Sequence, residues 1–169
     1  DVIMTRIKPI RRVKGGFASI DRYVIECDIF KSLGPNSVKL LLLMACDYKG
    51  NNNGDLSATY SKYKDYFGSS QTLFNARDEL ERKGFIAVNC YGGMSYGGYK
   101  LPTLYALTWL PVDDFINLEK NLFRCTHLPL KKELKYFIKG TNPKYKKPNK
   151  KKKQYLSDLK NPNIKRDED

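Results

Sequence analysis

Apolar residues recur at helical spacing downstream of Pro35, where Val38, Leu41, Leu42, Ala45 and Cys46 fall at i, i+3, i+4, i+7 and i+8. Pro35 itself suits the first turn of a helix, because its fixed φ is helical and its missing N–H is not needed there. Leu40, Leu43 and Met44 make the segment apolar nearly all round, which predicts a buried central helix ending near Tyr48, before Gly50. Upstream, Asp21 stands at a capping position, and Tyr23, Val24, Cys27 and Phe30 predict a helix running to about Ser32. The period there is imperfect, so a strand over 23–27 competes with it. Gly34 separates the two segments.

The pattern changes after Gly50. NNNG at 51–54 predicts a loop; it lacks the carboxylates of a calcium loop, and Tyr60 would stand at the twelfth position. Asp55 or Ser57 is positioned to cap a helix over 58–67, stopped by Gly68. Ser70 is positioned to cap another helix reaching Lys83, with Gly84 as its terminal glycine. In that helix Leu73, Ala76 and Leu80 form the core face, leaving Gln71, Thr72, Phe74, Asn75 and Asp78 outward at least in part. FIAVN (85–89) predicts a strand, and TLYALTW (103–109) alternates as a second. Between them lie thirteen residues, CYGGMSYGGYKLP, with four Gly, three Tyr, Lys100 and no acidic residue. Two helices joined by a Gly-containing turn, then a long-tipped hairpin, are the arrangement of a winged helix-turn-helix. The expected class is α+β, mainly α, with three to four helices and a β-hairpin wing.

Charge adds a partner class to this picture. The 169 residues carry 31 Lys+Arg against 18 Asp+Glu, a net +13, which favours a polyanion. Residues 1–112 hold 15 Lys+Arg and 10 Asp+Glu, whereas residues 131–153 alone hold eleven Lys and one Glu. The expected organisation is a basic N-terminal arm over 1–20 and a DNA-binding domain over 21–112. A short helix or linker over 113–130, with Phe115, Leu118 and Leu122 at helical spacing, leads into a Lys-rich tail over 131–169. The tail loses apolar periodicity after Ile138 and is expected to lack packed structure.

Other classes are disfavoured. The longest apolar run, 40–46, is far shorter than the roughly 18 residues of a membrane span. No apolar stretch follows the first basic residues, so no secretory signal is expected; Asp1 is not a start Met, which leaves the native beginning open. Cys27, Cys46, Cys90 and Cys125 form no C-x-x-C pair and suit reduced thiols in the cytoplasm. His127 is the single histidine, so no two-His metal site can be built, and neither metal nor cofactor is expected. Asp55, Asp65, Asp78, Glu79 and Glu81 lack the companions of a recognisable reaction, and Glu79 and Glu81 read as surface residues. No catalytic residue is assigned.

Residues 70–86, SQTLFNARDELERKGFI, resemble the recognition-helix signature of GntR-type winged-helix regulators. The match lies at Ser70, Thr72, Leu73, Ala76, Glu79, Leu80, Gly84, Phe85 and Ile86. Residues 21–113 more broadly resemble small helix-turn-helix proteins of phages, plasmids and mobile elements. The sequence departs from the signature at Arg77, where Leu is usual, and it has no large effector domain. The resemblance implies base contacts from Gln71, Thr72 and Asn75. Helix-turn-helix geometry and residue chemistry extend the candidate DNA-binding set to Ser69, Ser70, Phe74, Arg77, Lys62 and Lys64, with Tyr91, Tyr96, Tyr99 and Lys100 in the wing. The expected function is sequence-specific binding of double-stranded DNA in the cytoplasm, at the nucleoid, by a noncatalytic regulator of transcription or replication in a mobile element. A homodimer and a replication or transcription protein are further partners. A replication initiator and a winged-helix protein-interaction module are the alternatives.

Overall fold

The computed structural model describes residues 17–94, 98–113, 128–129 and 131–147. The helix expected over 21–32 forms as two pieces, α1 (Arg22–Glu26) and α2 (Asp28–Lys31), divided at Cys27, whose φ of −69° and ψ of 146° are extended. The Asp21 side chain makes no cap bond to α1; the Cys27 thiol instead accepts from Phe30 N and donates to Val24 O. The long helix α3 (Pro35–Asp47) forms as expected, but its buried face is Ser37, Leu40, Leu41, Met44 and Ala45. The expected face through Leu42 and Cys46 is therefore corrected. Leu42 is 49% exposed and Cys46 is exposed, because the neighbouring helix packs on the row that begins at the small Ser37.

The loop over 51–54 leads into a strand, β1 (Leu56–Ser57), where a helix cap was expected. The helix beyond it is only α4 (Tyr60–Tyr63), with a turn to Tyr66. α5 (Ser70–Arg82) is capped by Ser69 rather than Ser70: the Ser69 Oγ accepts from Thr72 N at 3.1 Å. At its end Gly84 has a φ of +84°, and a Cβ there would meet Tyr136 backbone at 2.7 Å, so this glycine serves both turn and packing.

β2 (Ile86–Cys90) and β5 (Leu104–Leu107) pair antiparallel, and β1 adds to β5 to give the order β1-β5-β2. Between them β3 (Gly93–Met94) and β4 (Lys100–Leu101) form a second antiparallel pair, the outer part of the same hairpin. Gly92 permits this close approach, since a Cβ would lie 2.5 Å from Leu101 O. One face of the larger sheet, through Leu56, Ile86, Tyr105 and Leu107, packs on the helices. The other face, through Ala87 and Ala106, is covered by Val112 and Leu128, with Leu134 and Tyr136 against them. The alternation of TLYALTW thus divides two buried faces. The small alanines mark where a covering chain approaches.

That covering chain corrects the expectation for the Lys-rich segment. Lys131 N donates to Val112 O at 2.8 Å, and Leu134 N and Lys135 N both donate to Thr108 O. A 3₁₀ turn (Tyr136–Lys139) then buries Phe137 completely, with its ring 5.5 Å from Phe85 and 5.7 Å from Tyr23. Residues 131–147 are hence a docked strap, tied by apolar Leu134, Tyr136 and Phe137 set among the lysines. Residues 148–169 of the tail expected over 131–169, residues 114–127 and 130 of the short helix or linker expected over 113–130, and most of the N-terminal arm lie outside the described residues; Ile20 of the arm packs against the core. No helix among the described residues is long and apolar enough to cross a membrane.

Candidate nucleic-acid interface

α5 is amphipathic. Leu73, Ala76 and Leu80 are buried, and Gln71 and Asn75, one turn apart, are exposed. Leu73, Ala76 and Leu80 fix the rotation of the helix, so the outward residues are set by the core rather than by their own contacts. Gln71 Nε2 donates to Asn75 Oδ1 at 2.7 Å, which couples the two amides in one pair. Ser69 and Thr72 hydroxyls lie 2.9 Å apart inside the cap, and Ser70 is exposed beside them. The first turn of α5 therefore presents backbone N–H groups and short hydroxyls, the donors that suit a phosphate.

Phe74 and Arg77 sit beside this row and only partly reach solvent. An open groove is lined by Tyr60, Ser70, Gln71, Leu73, Phe74 and Arg77. The Arg77 guanidinium donates to Ala58 O at 3.1 Å and lies 5.3 Å from the Phe74 ring and 6.0 Å from Tyr105. It ties α5 to the segment between β1 and α4, which accommodates the charge that the signature lacks at this position.

Lys62 is exposed and pairs with Asp47 at 2.7 Å, and its ammonium lies over the Tyr63 ring. Tyr63 is buried and donates its hydroxyl to the same Asp47; burial first, then that bond, raise its pKa far above the ordinary value. Tyr63 and Phe67 are core residues, while Lys64 and Tyr66 are exposed on the turn after α4.

In the hairpin, Tyr91 is 53% and Tyr99 76% exposed, and Lys100 is exposed with them. Tyr96 lies outside the described residues. The hairpin base and α5 meet at Tyr105: burial pushes its pKa up to about 12, and the charges of Arg77, Glu81, Tyr91 and Asp78 all act on it. Ser69, Ser70, Gln71, Thr72 and Asn75 are thus gathered on the exposed start of α5. Phe74 and Arg77 flank them, while Lys62 pairs with Asp47.

Three functional features escape a reading of the sequence. Glu79 and Glu81, expected at the surface, are both partly buried. Glu79 accepts from Gly34 N, Ser37 Oγ and Lys83 Nζ; burial raises its carboxyl, and these donors outweigh that and hold it below the ordinary value. Burial, then Asp78, push Glu81 up to about 7 against the opposing pull of Arg77. Lys83 also donates to Ser32 O at 2.7 Å, which caps α2 rather than only the end of α5. Finally, Tyr145 donates to Asp78 Oδ1 at 2.7 Å, bringing the strap onto α5. The E-L-x-x-K spacing of Glu79 and Lys83 signals an ion pair, but nothing local signals a partner 42 positions away. Among the described residues no group of His, Cys, Asp and Glu could hold a metal ion. No protein-family model matches this chain, and no curated protein or solved structure matches it either.

Proposed function

We propose that this chain is a noncatalytic, sequence-specific binder of double-stranded DNA, a winged helix-turn-helix regulator of transcription or replication in a mobile element. The observation that carries the reading is the start of α5, where Gln71 and Asn75 form an exposed amide pair on a helix locked by Leu73, Ala76 and Leu80. Amide side chains can pair bidentately with adenine in the major groove, and the serine-rich cap suits a flanking phosphate. The order α3, β1, α4, α5, β2, hairpin, β5, with β5 between β1 and β2, is consistent with a winged helix. Tyr91, Tyr99 and Lys100 then serve as wing contacts to backbone or minor groove.

A binding-site selection with the full chain tests this reading. A single preferred duplex motif is expected, and a palindromic one would report a homodimer. Gln71→Ala and Asn75→Ala each relax preference at one base pair by about 1–3 kcal/mol. Equal affinity for every duplex overturns sequence-specific recognition, and a stable protein complex with no DNA binding would select an interaction module instead.

A further inference from the structure

On α5 the positions Gln71, Asn75, Asp78 and Arg82 are spaced by four, three and four residues, so they fall on one helical stripe. Gln71, Asn75 and Arg82 are exposed on that stripe, and Asp78 is partly covered. What covers it is the strap. Asn142, 7% exposed, receives Tyr145 N on its carbonyl at 3.0 Å and Lys144 N on its Oδ1 at 2.9 Å, forming a tight turn. Asn142 N donates to Arg82 O, and its side-chain amide reaches Ile86 O. Tyr145 then closes on Asp78. Phe137 and the Gly140–Ile29 contact anchor the strap upstream, so the turn is held from two sides.

The consequence concerns charge. A carboxylate on the exposed stripe of a DNA-reading helix repels phosphate, and Tyr145 engages it with a donor. Tyr145 retains its proton, since burial and the bond to Asp78 push its pKa up to about 12. Lys146 and Lys147 follow immediately and are exposed. With about 3.8 Å between successive Cα atoms, they begin within roughly 8 Å of the Tyr145 Cα. Asp78 is in turn one turn of helix, about 5 Å of rise, from Asn75. Lysine's flexible four-carbon stem gives each ammonium reach beyond its own Cα toward a phosphate.

We propose that Lys146 and Lys147, seated beside α5 by the Tyr145–Asp78 bond, form a positioned clamp on the phosphates flanking the bases that α5 reads. This rests on the DNA-binding reading above and adds to it a fixed backbone contact that a trailing basic segment does not provide. Each ammonium on a phosphate releases a condensed counterion, so the clamp contributes to affinity for every duplex and to its salt dependence without choosing a sequence.

The test uses the full chain and a duplex chosen by its own site selection, with Kd measured from 50 to 300 mM KCl. Lys146→Gln with Lys147→Gln, surface changes that leave the fold intact, should flatten the log–log salt slope by about 2 and weaken binding several-fold. Tyr145→Phe, which keeps the ring and removes the donor, should weaken binding about threefold in the parent chain and have no further effect in the double-lysine variant. An unchanged slope in the double-lysine variant overturns the clamp. Equal effects of Tyr145→Phe with and without the lysines overturn its anchoring. In both cases preference for the selected duplex survives, so the DNA-binding reading stands. Absence of any duplex preference in the parent chain would sink that reading and the clamp together.

Discussion

Ser37 Oγ donates a 2.5 Å hydrogen bond to Glu79 Oε2, joining the first turn of α3 to the last turn of α5. The same carboxylate oxygen accepts from Gly34 N at 3.2 Å, so Glu79 acts as a cap for a helix it does not belong to. Lys83 completes the arrangement at 2.8 Å from Oε1. Glu79 thus adds a polar tie between α3 and α5 to the apolar packing of Leu73, Ala76 and Leu80 that fixes the rotation of α5.

Glu79→Ala should therefore cost about 1.5–3 kcal/mol, because it leaves a partly buried N–H and hydroxyl without their charged acceptor. The folded pKa of Glu79 lies below its ordinary 4.5. Its contribution is present above pH 4.5 and is lost as pH falls through the folded value. Thermal melts of Glu79→Gln and the parent should differ at pH 7 and converge in acid. A constant difference at all pH values would assign the effect to packing rather than to the carboxylate.

Glu81 has the opposite sign. Its folded pKa of about 7 exceeds the ordinary 4.5, so the folded chain binds this proton more tightly than the unfolded chain. Stability from this group is complete below pH 4.5 and is lost as pH rises through 7. One pKa unit is about 1.4 kcal/mol, and solvent screening of a partly buried group leaves on the order of 1 kcal/mol. Glu81→Gln should raise the melting midpoint by a few degrees at pH 8 and leave it unchanged near pH 4. A uniform gain at both pH values would rule out titration as its source.

The buried amide of Asn53 carries a third expectation. Its Nδ2 donates to Leu107 O, Leu110 O and Pro111 O, and its Oδ1 accepts from Leu107 N at 2.7 Å. Asn53→Ala strips partners from buried backbone groups and should cost about 2–4 kcal/mol in chemical denaturation. Asn53→Asp is worse at neutral pH, since a carboxylate faces three carbonyls, and should recover part of the loss on acidification. Equal stability of Asn53→Asp at pH 4 and pH 8 would contradict this.

How legible these features are depends on how local their causes are. α3 and α5 follow from periodicity, Pro35 and Gly84, all within one turn of the element they shape. The choice of Ser69 over Ser70 as cap, and the break at Cys27, turn on one residue's ψ, which composition does not specify. The buried face of α3 is shifted because its partner row starts at Ser37, a polar residue that only Glu79 and the Ala76 carbonyl make suitable for burial. In the interface, outward amides on α5 were accessible from the core positions alone. The roles of Glu79, Asn53 and Asp78 required contacts 42, 54 and 67 positions away.

The Lys-rich strap gives the largest difference between expectation and structure, and a direct measurement follows from it. Seven lysines between 131 and 147 mask the apolar Leu134, Tyr136 and Phe137 in any average over the segment. Phe137 nevertheless stacks on Phe85, which in turn meets Phe30 edge-on at 6.1 Å. Phe137→Ala should cost about 3–5 kcal/mol, the range for removing a fully buried aromatic ring. A chain ending at residue 147 keeps every strap contact among the described residues and should melt within a degree or two of the parent. A chain ending at residue 130 takes Phe137 off Phe85 and removes Leu134 and Tyr136 from the cluster around Ala87 and Ala106, and should melt far lower or fail to fold. Deleting the whole basic segment therefore confounds charge with stability, whereas the cut at 147 separates them. Equal melting of the two truncated chains would show that the strap contributes nothing to the core it covers.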